Sequence, residues 1–73
     1  MYSFKINDEV IYSHRYYDVI KNLLVTQVEL FCDMYVSMRI MDRSLADHYI
    51  EGAYNNRSGV NIQDFAHFKI VSD

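Results

Sequence analysis

The chain has 73 residues, of which 51% are hydrophobic and 15% aromatic, and its formal net charge at pH 7 is −3. A chain of this length forms one domain with a thin core, and its apolar content excludes an intrinsically disordered protein. The excess of carboxylates over basic side chains disfavours direct binding of double-stranded DNA, because phosphate-binding modules carry a basic surplus. The sequence therefore predicts a single folded domain over residues 1–73.

An antiparallel strand pair is predicted at the amino terminus. Tyr2, Phe4 and Ile6 alternate with other residues, and Asn7-Asp8 has the residue types of a tight turn. A β-prone run resumes over residues 9–12. The turn would fix the register between the two strands.

Residues 16–25 fit either a strand or a helix. The apolar residues of this stretch, continued by Val28 and Phe31, also have the spacing of a helical stripe. Between the two alternatives we favour the strand.

The strongest periodic pattern in the sequence lies between Val28 and Ile40, where apolar residues occupy every second position. They are Val28, Leu30, Cys32, Met34, Val36, Met38 and Ile40. This is the period of a half-buried strand. The run is long for one strand, so we expect a bend or tight turn near residues 31–34 to divide it into two.

Shorter signals complete the chain. Residues 42–44 and 55–59 have loop composition, and residues 48–50 have the composition of a strand. Residues 60–65 fit one short helical turn, and residues 68–71 fit a closing strand. Together these signals predict a mainly β domain with one short helical turn near the carboxyl terminus.

Two parts of the chain resemble SH3-like, KOW-type barrels. Residues 4–12 look like the first strand of that fold, where an apolar-x-apolar-turn-Asp-x-Val pattern is common. Residues 60–65 and 67–71 resemble its short helical turn and last strand. The resemblance implies a small five-stranded SH3-like barrel. The glycine that usually marks the second strand is missing, which leaves a strongly curved antiparallel sheet as the alternative.

A five-residue segment suggests a partner. Gln27-Val28-Glu29-Leu30-Phe31 is similar to the pentapeptide by which bacterial proteins bind the DNA polymerase sliding clamp, with matches at Gln27, Leu30 and Phe31. In such a peptide the glutamine bonds at a pocket rim and the two apolar residues fill subsites. Alternatively, Leu30 faces the core with Val28. In a regular strand Leu30 and Phe31 point to opposite faces, so both would reach one pocket only at a turn or bulge.

The composition also resembles that of phage-encoded inhibitors of host replication, which are short, acidic, rich in Asn, Ile, Tyr and Asp, and free of Pro and Trp. Some of these inhibitors occupy the basic channel of the sliding clamp in place of DNA. That resemblance implies that five carboxylates stand in for phosphates: Asp18, Asp33, Asp42, Asp47 and Glu51. A homodimer is expected, and it would double the charge to about −6 and favour electrostatic steering into a basic hole.

The alternative function is that of an SH3-like adaptor. Its aromatic groove would bind a peptide or single-stranded nucleic acid. Five tyrosines would line the groove: Tyr16, Tyr17, Tyr35, Tyr49 and Tyr54.

Catalysis and metal binding are not predicted. His14, His48 and His67 share no ligand spacing with Cys32, and the carboxylates lack a partnered base, nucleophile or oxyanion donor. We therefore expect neither an enzyme nor a cofactor or metal. The single cysteine and the lack of a leader or a long apolar run favour the cytoplasm, which is the host cytoplasm if the chain is phage-encoded, and no membrane association.

Overall fold

The chain folds into an antiparallel sheet with two helices inserted between its hairpins. The computed structural model describes residues 1–63 and 65–73, which form four strands and two helices. In chain order they are β1 (Tyr2–Ile6), β2 (Glu9–His14), α1 (Tyr17–Ser37), α2 (Arg43–Asn55), β3 (Gly59–Ile62) and β4 (Ala66–Ser72). The strand order is β2-β1-β4-β3, and all neighbours are antiparallel. The first and last strands therefore pair at the centre of the sheet.

The predicted mainly β barrel is wrong, because the described residues form an open α+β fold. Of the ambiguous stretch 16–25, residues 17–25 lie in α1, as does most of the alternating run, and no turn divides residues 31–34. The buried side chains of this segment have the spacing of a helix and not of a strand. On one side of α1 they are Ile20, Leu24, Val28, Cys32 and Tyr35. The alternating series shares Val28 and Cys32 with this stripe, so alternation by itself did not distinguish the two periods.

Three shorter predictions are also wrong. Residues 48–50 lie in α2, where Ala46 and Ala53 form part of a buried helical stripe. Residues 60–62 belong to β3, so the helical turn predicted over residues 60–65 does not begin there, and residue 64 lies outside the described residues. The predicted loop at residues 42–44 is instead the start of α2.

The predictions for both ends of the chain are confirmed. Tyr2–Ile6 and Glu9–His14 form a hairpin whose turn residues Asn7 and Asp8 have φ values of 51° and 68°. Positive φ at both central residues is typical of the type I′ turn, which matches the twist of paired strands. β4 includes the predicted closing strand.

The core lies between one face of the sheet and the helices. Phe4 and Phe68 are fully buried, and their rings stack with centroids 6.3 Å apart. Phe31 of α1 meets Phe68 edge to face at 5.2 Å. Each large apolar side chain buried in this way stabilises the fold by about 1.5–3 kcal/mol. Cys32 lies in this core as a small apolar group, as predicted.

The two helices form an antiparallel pair. Arg43 at the start of α2 contacts Asp33 near the end of α1. At the other end of the pair, the Lys21 ammonium donates to the carbonyl oxygens of Ala53 (2.5 Å) and Asn56 (2.6 Å). These carbonyls lack partners within α2, so Lys21 satisfies the end of that helix. The pairing fixes which polar residues of α1 and α2 share a surface.

Candidate functional site

Four carboxylates lie on neighbouring positions of the paired helices. Glu29 and Asp33 are one turn apart on α1, and Asp47 and Glu51 are one turn apart on α2. We call these four residues the acidic helix surface. Asp33, Asp47 and Glu51 are exposed, and Glu29 is partly buried.

Arg43 joins the two rows of the acidic helix surface. Its Nη1 donates to Asp33 Oδ1 at 2.8 Å, and its Nε donates to Asp47 Oδ1 at 3.1 Å. The hydrogen bond to Asp33 is the main reason that the pKa of Arg43 is raised. Because all three side chains are about half exposed or more, these ion pairs contribute little to stability. With four carboxylates against one guanidinium, the local charge is −3.

Glu29 of the acidic helix surface is hydrogen-bonded to Tyr54 of α2. The tyrosine hydroxyl donates to Glu29 Oε1 at 3.1 Å, and this hydrogen bond is the main reason that the pKa of Tyr54 is raised. Glu29 was absent from the predicted carboxylates. Its place one turn from Asp33 becomes visible only when this part of the chain is recognised as a helix.

The remaining predicted carboxylates serve the ends of the helices. Asp42 caps α2, because its Oδ1 accepts from the backbone N–H of Leu45 at 2.7 Å. Asp18 lies in the first turn of α1, about 22 Å along the helix from Asp33. A carboxylate in a first turn complements the positive end of the helix dipole. The structure thus brings together Asp33, Asp47 and Glu51, but neither Asp18 nor Asp42 belongs to that group.

The clamp-peptide resemblance falls on the middle of α1. Gln27 is partly buried and Leu30 is 57% exposed, whereas Phe31 packs against Phe68 and, at 6.2 Å, against Tyr35. Phe31 is partly buried and would have to give up these ring contacts to enter a partner's pocket. The alternative prediction, that Leu30 faces the core, is wrong, because this side chain is more than half exposed.

The tyrosines proposed for an aromatic groove occupy different environments. Tyr35 is buried, and Tyr17 and Tyr49 are partly buried. Tyr16 at the start of α1 and Tyr54 near the end of α2 are each about 60% exposed. These side chains do not line one surface, and the SH3-like scaffold predicted to carry them is absent from the described residues.

Within residues 1–63 and 65–73, no cluster of three or more His, Cys, Asp or Glu side chains is arranged to hold a metal ion. Burial raises the pKa of the Cys32 thiol, which keeps it in the unreactive protonated form. None of the helices in the described part of the chain is both long enough and apolar enough to span a membrane.

Comparisons of the chain with protein-family models, with curated proteins and with solved structures found no match.

Proposed function

We propose that the chain is a non-enzymatic inhibitor that binds the bacterial DNA polymerase sliding clamp in the host cytoplasm and blocks host DNA replication. The acidic helix surface enters the basic channel of the clamp in place of DNA. The observation that carries this proposal is the position of four carboxylates on successive turns of two paired helices, with Asp33 and Asp47 joined across the helices by the Arg43 guanidinium. The choice of partner rests on the resemblance in composition to phage-encoded replication inhibitors.

The arrangement of the carboxylates supports binding to a basic surface. Residues one helical turn apart present their charges about 6 Å from each other, and two such rows lie side by side. Charges this close act together, because the Debye length at physiological ionic strength is about 8 Å. A concentrated negative field of this kind accelerates association with a positively charged cleft.

The face of the sheet that the helices do not cover carries basic side chains. Lys5 of β1 and Lys69 of β4 are directly paired in the sheet and share this face. Asp8 forms an ion pair with Lys69 at 3.2 Å. This separation of charge favours an approach with the helices, and not the sheet, towards a basic partner.

Channel binding is better supported than docking of the Gln27-Leu30-Phe31 segment. Docking requires Phe31 to leave its contacts with Phe68 and Tyr35. Truncating a fully buried phenylalanine costs about 3–5 kcal/mol, and exposing the partly buried Phe31 costs some fraction of that. The carboxylates of the acidic helix surface need no such rearrangement.

The test is binding of the purified chain to a purified bacterial sliding clamp, measured by gel filtration and calorimetry. Neutralising two carboxylates together, Asp47→Asn with Glu51→Gln, is expected to weaken binding at least about tenfold. The matched control neutralises Glu9 and Asp73, which lie on β2 and at the carboxyl terminus, and is expected to change affinity less than about threefold. Absence of co-elution at micromolar concentration, or equal effects of the two variants, would refute the proposal.

Arg43 provides a test of opposite sign. Arg43→Gln removes the positive charge that joins Asp33 to Asp47 and breaks two exposed ion pairs of little stabilising value. We expect it to tighten binding to the clamp. Weaker binding by a folded Arg43→Gln protein would instead indicate that the guanidinium itself contacts the partner.

A further inference from the structure

A mainly apolar row runs along α1 on a side that does not contact α2. It consists of Val19, Leu23, Thr26, Leu30 and Met34, which we call the apolar ridge. Leu23 in this row is partly buried against the edge of the core, and Thr26 is its one polar member. Val19, Leu30 and Met34 are 39%, 57% and 46% exposed, although each is large and apolar. Large exposed apolar groups in a continuous row mark an interaction surface.

The apolar ridge lies beside strand β2. Val19, Leu23 and Thr26 line a groove together with Tyr12 of β2, so the ridge lies along the edge of the sheet that β2 forms. The side of α1 that contacts α2 carries Glu29 and Asp33 instead. The ridge is thus distinct from the acidic helix surface.

The spacing of the ridge fits helix-to-helix packing. Successive members are separated by four, three, four and four residues. Intervals of three and four residues form the seam along which helices pack at small crossing angles. The ridge spans about 22 Å of helix, which is long enough for several layers of contact.

The order of residues along the ridge is self-complementary. When two copies of α1 lie antiparallel about a two-fold axis between Thr26 and Gln27, Leu23 of one copy meets Leu30 of the other. Val19 then meets Met34 in the same arrangement. An isologous interface requires this kind of reciprocal match. We propose that the chain forms a symmetric dimer through antiparallel packing of the apolar ridge against that of a second copy.

The exposed area is compatible with a dimer. The ridge, together with the half-exposed Tyr12 of β2, leaves roughly 400 Å² of mainly apolar surface uncovered, against about 800 Å² per partner in a standard interface. Flanking polar atoms supply the remainder, as at the rim of other interfaces. Antiparallel packing also sets the dipoles of the two helices in opposition, which is favourable.

Pairing between the free edges of two β2 strands accounts for the surface less well. Phe4 pairs with Tyr12 and Lys5 pairs with Val10, so Ile11 is the extra residue of a β-bulge. Bulges on edge strands hinder the addition of another strand. The helices, and not the strand edges, therefore make the central contact.

The dimer is tested by sedimentation equilibrium of the intact chain over a range of concentrations. Leu30→Glu is expected to raise the dissociation constant at least about a hundredfold, because symmetry places the charge in the interface twice. Val10→Glu is the matched control: Val10 is 54% exposed but pairs with Lys5, on the sheet face away from α1. It should leave the dissociation constant unchanged within about threefold.

Cross-linking tests the register. Leu23→Cys and Leu30→Cys proteins, mixed and treated with a short bis-maleimide, should form mixed dimers far faster than either protein alone. Wild-type protein is the control, since its Cys32 is buried. A monomer at high micromolar concentration would overturn the proposal, and so would a dimer with equal sensitivity to Leu30→Glu and Val10→Glu or with no preference for the mixed cross-link. This inference holds whether or not the acidic helix surface binds a clamp.

Discussion

Alanine at the two glycines should have opposite effects on stability. Gly52 lies inside α2, where a Cβ would meet Val60 Cγ2 at 3.5 Å and Asn56 Nδ2 at 3.6 Å, which are ordinary contacts. Gly59 has a φ of +128°, and a Cβ there would lie 2.0 Å from the carbonyl oxygen of Phe68. The first site accepts a methyl group, whereas the second does not.

The magnitudes follow from helix propensity and from backbone strain. Gly52→Ala should stabilise the protein by about 0.8–1 kcal/mol, because alanine loses less backbone entropy than glycine on entering a helix. Gly59→Ala should destabilise it by at least about 3 kcal/mol, since it combines a disfavoured φ with a clash that forces β3 away from β4. For a domain of this size, about 4–8 °C of melting temperature corresponds to each kcal/mol.

Thermal and urea unfolding followed by circular dichroism measure both effects. The expected result is a higher melting temperature for Gly52→Ala and a fall of more than about 12 °C for Gly59→Ala. If Gly59→Ala unfolds within about 3 °C of wild type, the close pairing of β3 with β4 at this residue is wrong.

Three further changes test other parts of the fold. Lys21→Met removes the ammonium that donates to two carbonyls at the end of α2, and it should lower the free energy of unfolding by about 1 kcal/mol in urea titrations; no loss would mean that water satisfies these carbonyls equally well. Asp42→Ala removes the cap on the Leu45 N–H and should also cost about 1 kcal/mol, whereas Asp42→Asn, which keeps an acceptor, should cost little. Cys32, a buried thiol with a raised pKa, should react with a thiol reagent only when the chain unfolds, and rapid labelling of the native protein would contradict its place in the core.

The parts of the fold that the sequence predicted are those with local signals. The hairpin of β1 and β2 depends on Asn7-Asp8, a pair that accepts positive φ, between two alternating runs. α1 was missed because Val28 and Cys32 satisfy both the strand period and the helical period. The sequence has no proline, and its glycines lie at 52 and 59, so no breaker interrupts residues 1–51. A stretch without proline or glycine favours a long helix.

The candidate site was predicted in part. Asp33, Asp47 and Glu51 were among the carboxylates that the resemblance to replication inhibitors implied, whereas Glu29 was not. The grouping of these residues depends on the pairing of α1 with α2, which is a tertiary contact.

The apolar ridge was not predicted, because this part of the chain was interpreted as a strand. On the strand interpretation Leu30 and Met34 belong to the same face as Cys32, whereas in the helix Cys32 is buried and the other two are exposed. Because the segment is a helix and not a strand, Leu30 and Met34 lie on the surface and not in the core.

Competition on the sliding clamp tests the central claim most directly. The chain is added to a clamp that carries either DNA through its channel or a fluorescent peptide of the glutamine-leucine-phenylalanine type in its surface pocket. Binding through the acidic helix surface predicts that the chain excludes DNA, leaves the peptide bound and loses affinity as salt rises. Displacement of the peptide with DNA retained, at an affinity independent of salt, would contradict the account.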